Sequence, residues 1–225
     1  MTHRTLGRQR PASAGRQYEF ILDGKTHVAD PYAKANIQAR GKSLLVDGSY
    51  SWGDAAWVRP ARDRLIIYEL NLSDFTSHES SGVTLGTGGT YAGMEQKLDY
   101  LVKLGVNAVE LMPIAEYCSD GYSWGYDSSL YFAPEAALAS SAYGEQVAEL
   151  KHLVDAMHRA GLAVIIDMVF NHVAHSCNQL WNIDKVYYFD YDNDGDPTDD
   201  ALVWGDHLAT WRPMVKKLMF DSLKY

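Results

Sequence analysis

Two stretches of this sequence carry side chains suited to chemistry. The first is Asp167-Met168-Val169-Phe170-Asn171-His172, at the end of an apolar run that begins at Leu162. Read as a strand with a period of two, it places Asp167, Val169 and Asn171 on one face and His172 at the rim. A carboxylate at the mouth of a sheet must be paired or hydrogen-bonded. The pattern alone leaves open whether Asp167 serves a site or holds a loop. The second stretch is Trp124-Gly125-Tyr126-Asp127, followed by Tyr131-Phe132-Ala133-Pro134-Glu135. Aromatic rings beside carboxylates suit a sugar, whose apolar face stacks on a ring and whose hydroxyls need acceptors. Taken alone, this segment also reads as ordinary loop packing.

Other clusters are weaker. Asp190-Tyr191-Asp192-Asn193-Asp194-Gly195 matches the opening of a calcium loop, with Asp190, Asp192 and Asp194 as candidate ligands. The position that would need a bidentate Glu is Ala201, so the segment is not an EF-hand. A solvated acidic loop is the simpler reading. His172, His175 and Cys177 are metal-ligand types, but no further partner has suitable spacing for zinc. Gly86-Thr87-Gly88-Gly89 lacks the Lys-Ser/Thr of a phosphate loop and reads as a connection.

The elements that must position these residues form an alternating array. Leu65 to Leu70 is a short apolar run, as expected of a strand buried on both faces. The spacing of Met94, Leu98, Leu101 and Val102 predicts a helix over 91–104, stopped by Gly105. Val106 to Met112 is a second strand. Val147, Leu150, Val154 and Met157 predict a helix over 145–160, stopped by Gly161, before a third strand from Leu162 to Phe170. Pro213 opens a third helix. Helix, glycine and apolar strand, twice over, signal a parallel βα array with right-handed crossovers. A doubly wound sheet and a (β/α) barrel both fit. Ligands in either gather at the carboxyl ends of the strands.

Upstream, Tyr18, Phe20 and Leu22 alternate, Asp23-Gly24 signals a hairpin turn, and Ser43 to Val46 reads as another short strand. Residues 1–16 carry Arg4, Arg8, Arg10 and Arg16 without an acid and read as a disordered leader. The chain has 225 residues, 47% hydrophobic and 22% charged, with net charge −9. This excludes wholesale disorder, and the acidic balance argues against nucleic acid as a partner. No apolar run approaches the roughly 18 residues of a membrane span. Two cysteines, Cys118 and Cys177, are too few for a disulfide scaffold. With no secretory signal to read, a cytosolic setting is expected; Cys118 and Cys177 fall on loops after adjacent strands, which leaves a bridge between them open, with a reduced pair as the expectation.

At this point the chain resembles a known family. Asp167 to His172 looks like the first sequence motif of the α-amylase superfamily, glycoside hydrolase family 13. Trp124 to Asp127, with Tyr131 to Glu135, resembles the motif after that family's second barrel strand, in the style of isoamylases, pullulanases and glycan-branching enzymes. Ile67 to Leu70 and Gly105 to Pro113 are similar to its first two strands. Tyr18 to Ala35 resembles the end of the β-sandwich carbohydrate-binding module that precedes such domains.

The resemblance implies an α/β fold: a partial (β/α)8 TIM barrel, its first three βα units in 62–225, truncated before strand four. It implies a β-sandwich tail in 17–61. It implies a retaining hydrolase or transglycosylase of α-1,4/α-1,6 glucans such as glycogen or starch, or, as the alternative, a non-catalytic glucan-binding remnant. Tyr126 would stack on the sugar, His172 would bond its hydroxymethyl group, and Asp127 would support the loop. Asp167 would organise the floor of the site. Asn171 matches a position that binds calcium in many α-amylases; calcium is possible but no cofactor is required. Retaining chemistry needs two carboxylates about 5–5.5 Å apart, and none of the family's catalytic carboxylates is assigned in this chain. A full barrel takes about 250 residues. The isolated chain is therefore expected to be inactive and to self-associate through open barrel edges.

Overall fold

A computed structural model describes residues 14–39, 41–118, 124–141, 144–173, 177–191 and 205–225. The chain opens with β1 (Gln17–Tyr18), β2 (Phe20–Leu22), β3 (Thr26–Val28) and β4 (Ser43–Leu44). β2 and β3 form the hairpin read from Asp23-Gly24, and β1 pairs antiparallel with β4. Asp23 and Gly24 both take positive φ (50° and 70°) in the three-residue connection between Leu22 and Thr26, where the Lys25 amide donates to the Leu22 carbonyl.

Next come β5 (Ile67–Leu70), α1 (Leu72–Ser77), α2 (Tyr91–Glu95), α3 (Leu98–Leu104) and β6 (Ala108–Leu111). They are followed by β7 (Ala115–Tyr117), β8 (Ser128–Pro134), α4 (Gln146–Arg159) and β9 (Ala163–Ile166). The chain continues through β10 (His172–Val173), α5 (Gln179–Tyr188), β11 (Asp206–His207) and α6 (Pro213–Lys224). β5, β6 and β9 form a three-stranded parallel sheet in that order. One face is apolar. Tyr68, Leu70, Val109, Leu111 and Val164 pack there against Met94, Leu98, Leu101, Leu153 and Met157 of the helices. Burial of this face supplies the main driving force for the layer. Alternation turns Ile67, Glu69, Glu110 and Ile165 to the other face.

The expected helix over 91–104 is two helices. Lys97 leaves helical geometry (φ −104°, ψ 3°), and its side chain reaches back to the Ser81 carbonyl. Gln96 is drawn to Thr84 and Thr87 in the preceding loop. The expected third strand, Leu162 to Phe170, stops at Ile166. Its last bond to the neighbouring strand runs from the Asp167 amide to Leu111, where β6 ends and Pro113 follows two residues later.

Several elements were not read from the sequence, the longest of them β8 and α5. β8 is buried along all seven residues, so no polar alternation marks it. α5 is interrupted at Asp184 (φ −162°, ψ 84°), which breaks the apolar period. β8, α5 and α6 share a second core built from Phe132, Leu180, Phe189, Val215 and Leu218.

The reduced cysteine pair is overturned. Cys118 and Cys177 form a disulfide with Cα atoms 6.1 Å apart. The β7–β8 hairpin, which the sequence reading did not contain, carries Cys118 there through the Cys118 amide bond to the Asp127 carbonyl (3.0 Å). Among the described residues, no helix is long and apolar enough to cross a membrane.

Candidate functional site

The site forms where β6 and β9 end. After β6 the chain turns through Met112-Pro113 into the hairpin. On the way back Gly125 lies against the Pro113 carbonyl with φ 90°, a conformation a side chain would oppose both by strain and by collision. This close approach delivers Tyr126 over the end of β9. Its hydroxyl donates to Asp167 Oδ2 at 3.0 Å. Asp167 is itself fixed by its amide bond to Leu111 (3.0 Å). The phenol is pushed up to about 12, first by burial, then by the Asp167 carboxylate, with smaller effects from Glu69 and Glu110. Tyr126 is thus a neutral hydrogen-bond donor at physiological pH.

Glu69 and Glu110 are neighbours in register on adjacent strands, on the face away from the helices. Sequence reasoning gave them no role. Period-two alternation within β5 and β6 could have put them on one face, but only the register places them side by side and beneath Tyr126.

His172, 7% exposed, lies on β10 opposite His207. Its Nδ1 is 2.9 Å from Asn171 Nδ2, so the amide donates to the ring nitrogen. Asn171 itself is exposed, with the regular strand already ended, so the expected shared face with Asp167 and Val169 does not extend from β9. Asp127 is half-buried and close enough to Tyr117 and Glu135 for its charge to raise both groups, so it faces the hairpin. Trp124 is 53% exposed beside it.

The hairpin also holds a buried carboxylate pair. Glu116 is 1% exposed and Glu135 5%. Glu116 Oε2 accepts from the Ala136 amide (3.0 Å), and its other oxygen is buried with no hydrogen-bond partner among the described residues. Glu135 accepts from the amides of Tyr117 and Ala137. Burial raises both acids, and for Glu116 the nearby Glu135 charge raises it further. Two amide donors support a charge on Glu135 and one on Glu116, so the shared proton belongs on Glu116. Glu116 was missed because its sequence neighbours resemble an ordinary strand end.

Asp190 accepts from the Tyr191 amide and bonds through its own amide to His207, beside the second core. Asp192 and Asp194 lie outside the described residues, as does His175. Among the described residues no three His, Cys, Asp or Glu side chains form a metal cluster, and Cys177 is committed to its bridge.

A parallel α/β sheet thus carries a phenol bonded to a carboxylate at its carboxyl end, with a buried imidazole on the segment that follows, where ligands of such sheets gather. Residues 53–204 match the α-amylase catalytic domain, and the chain belongs to that family within glycoside hydrolase family 13. Pullulanase A of Streptococcus pneumoniae serotype 4 is 30% identical, covering 93% of this chain and 19% of that protein. Chloroplastic isoamylase 3 of Oryza sativa subsp. japonica is 36% identical, covering 91% of this chain and 31% of that protein. Among solved structures, the pullulanase of Bacillus acidopullulyticus superposes with TM-score 0.80 at 29% identity, covering 93% of this chain and 28% of its own. Type I pullulanase of Bacillus subtilis 168, solved with maltose, gives TM-score 0.78 at 28% identity, covering 92% and 32%. The chain spans less than one third of each of these proteins.

Proposed function

We propose that this chain forms the substrate-binding floor of a retaining enzyme acting on α-1,4/α-1,6 glucans such as glycogen or starch. The carrying observation is the Tyr126–Asp167 hydrogen bond at the carboxyl end of β9. In this reading the three parallel strands are the first three of eight in a barrel. Residues 17–61 are the end of a carbohydrate-binding module. The maltose in the Bacillus subtilis pullulanase crystal supports a maltooligosaccharide as ligand.

Tyr126 stacks on the apolar face of a glucosyl unit while its hydroxyl is held by Asp167. His172, whose Nδ1 accepts from Asn171, is the residue that the family resemblance assigns to the hydroxymethyl group. Asp167, Glu69 and Glu110 sit beneath the sugar as a negative floor and are not the catalytic pair. The chain by itself binds glucan and does not cleave it.

Titration of the purified chain with maltotetraose, alongside a reducing-sugar assay on starch, tests this. We expect saturable binding that Tyr126→Ala weakens, and no reducing sugar above background. Binding unaffected by Tyr126→Ala would remove Tyr126 from the site. Sugar release by a monomeric preparation would show that the chain holds its own catalytic carboxylates.

A further inference from the structure

The linker before β5 does more than connect. Its residues 48–57 are fastened to the outer face of α4 at successive points. Lys151 Nζ donates to the Gly48 carbonyl (2.6 Å), and the Gly53 amide donates to Asp155 Oδ1 (2.6 Å). His158 Nδ1 bonds Asp54 at 2.7 Å, and its ring stacks on Trp57 with centroids 3.8 Å apart. A Cβ at Gly53 would stand 3.1 Å from the Asp155 carboxylate and would have to displace it by a few tenths of an ångström. Between these anchors stand Tyr50 and Trp52, ring to ring at 4.8 Å and 66°.

Tyr50 borders a groove between α2 and α4, a cavity of about 310 Å³ walled by Tyr91, Ala92, Glu95, Ala148 and His152. The two alanines open the space where the helices cross, and the buried Tyr91 contributes an aromatic wall. The polar groups form a line: the Tyr50 hydroxyl lies 3.4 Å from His152 Nδ1, and His152 Nε2 lies 3.3 Å from Glu95. Trp52, which is not in the groove wall itself, packs against the Tyr50 ring that borders it and has 47% of its surface exposed. The volume lies at the lower end of the small-ligand range.

We propose that this groove and the Tyr50–Trp52 pair form a second saccharide-binding site, on the helical side of the sheet, for a segment of the same α-glucan. The proposal rests on the functional reading above for the identity of the sugar. The chemistry of the groove supports it independently. Held aromatic rings offer stacking surfaces at little ordering cost, and the Glu95 carboxylate, paired with one imidazole nitrogen, still has acceptor positions for hydroxyls. A cation fits poorly. Glu149, also at the groove, has both carboxylate oxygens taken by Ser140 and Ser141, and Glu95 is paired with His152.

The test is affinity electrophoresis of the full chain in gels containing glycogen, with maltotetraose titrations followed by tryptophan emission. Circular dichroism checks each variant for folding. Trp52→Ala should lose about tenfold in affinity at this site, Trp52→Phe should lose less, and Glu95→Gln should weaken binding without disturbing the ring pair. Tyr126→Ala should retain glucan retardation, and the double variant Tyr126→Ala/Trp52→Ala should lose it. Retardation and emission changes identical in Trp52→Ala and the parent chain would overturn the second site, even with Tyr126-dependent binding intact. Binding lost with Trp52→Ala but indifferent to Tyr126→Ala would sustain it and sink the first reading. A Trp52 face that responds only to a protein partner, and not to glucan, would also overturn it.

Discussion

The hydroxyl of Tyr126 donates a 3.0 Å hydrogen bond to Asp167, joining positions 41 residues apart. One comes from the hairpin after β6 and the other from the end of β9, so the bond ties two strand-end loops into one surface. A ring fixed in this way presents its face to a ligand with little rotational freedom left to lose. Asp167 in turn gains the donor that a half-buried carboxylate requires.

Tyr126→Phe keeps the ring and removes the donor. A hydrogen bond to a charged acceptor contributes about 1.5–3 kcal/mol. For a chain of this size the loss should lower the melting temperature by roughly 3–10 °C. Maltooligosaccharide binding should fall less than in Tyr126→Ala, because the stacking face remains. A melting curve superimposable on the parent's would mean that the bond contributes nothing in solution.

Gly125 makes that geometry possible, and its role separates from simple backbone freedom. Gly125 and Gly105 both hold φ near +90° (90° and 91°), but only Gly125 has a backbone carbonyl, that of Pro113, where a Cβ would stand; Gly105 has open space. Gly105→Ala should cost about 1–2 kcal/mol from the left-handed backbone alone. Gly125→Ala adds steric overlap and should cost about 2–5 kcal/mol, with glucan binding lost. Denaturant melts of the two variants compare the costs directly. Equal losses would show that the Pro113 contact relaxes freely.

The Cys118–Cys177 bridge has a sequence separation of 59 residues. On the chain-entropy account, closing such a loop contributes about 4 kcal/mol, so reduction should lower the melting temperature by roughly 8–16 °C. Unreduced protein should take up no iodoacetamide, and both thiols should label after dithiothreitol. Labelling of the protein as purified, without reductant, would return the cysteines to the reduced state their small number suggested.

Much of the site was legible, but as separate pieces. Asp167 and His172 were visible from the period of the third strand and Tyr126 from its aromatic and acidic neighbours, but their roles came only from the family resemblance. The contact between Tyr126 and Asp167 is not legible, because it depends on Gly125 meeting Pro113 across a hairpin with no alternating signature. The parallel sheet was legible as short apolar runs and α4 as an apolar stripe at helical period, although β5 leaves Ile67 47% exposed instead of buried on both faces. The break at Lys97 was not, because side chains in the preceding loop impose it. Glu69 and Glu110 alternate correctly within their strands, yet only the inter-strand register makes them neighbours.

Glu116 shows the same limit and yields a pH prediction. Its burial arises entirely from pairing of β7 with β8, which also brings Glu135 beside it. Burial and that neighbouring charge raise Glu116 from 4.5 to about 9, so the folded chain keeps a proton that the unfolded chain releases. Where the native state binds the extra proton, stability falls as pH rises. The contribution is therefore complete below 4.5 and is lost progressively as pH climbs towards about 9. Glu116→Gln carries a permanently neutral group of the same shape, whose carbonyl can still accept from the Ala136 amide. Its stability should depend less on pH across this window and should overtake the parent's on the alkaline side. Melting temperatures measured from pH 5 to pH 9 decide the matter. Parallel curves for the two proteins would mean that Glu116 holds no proton in the folded state, and that the charge is stabilised by a group other than the single amide.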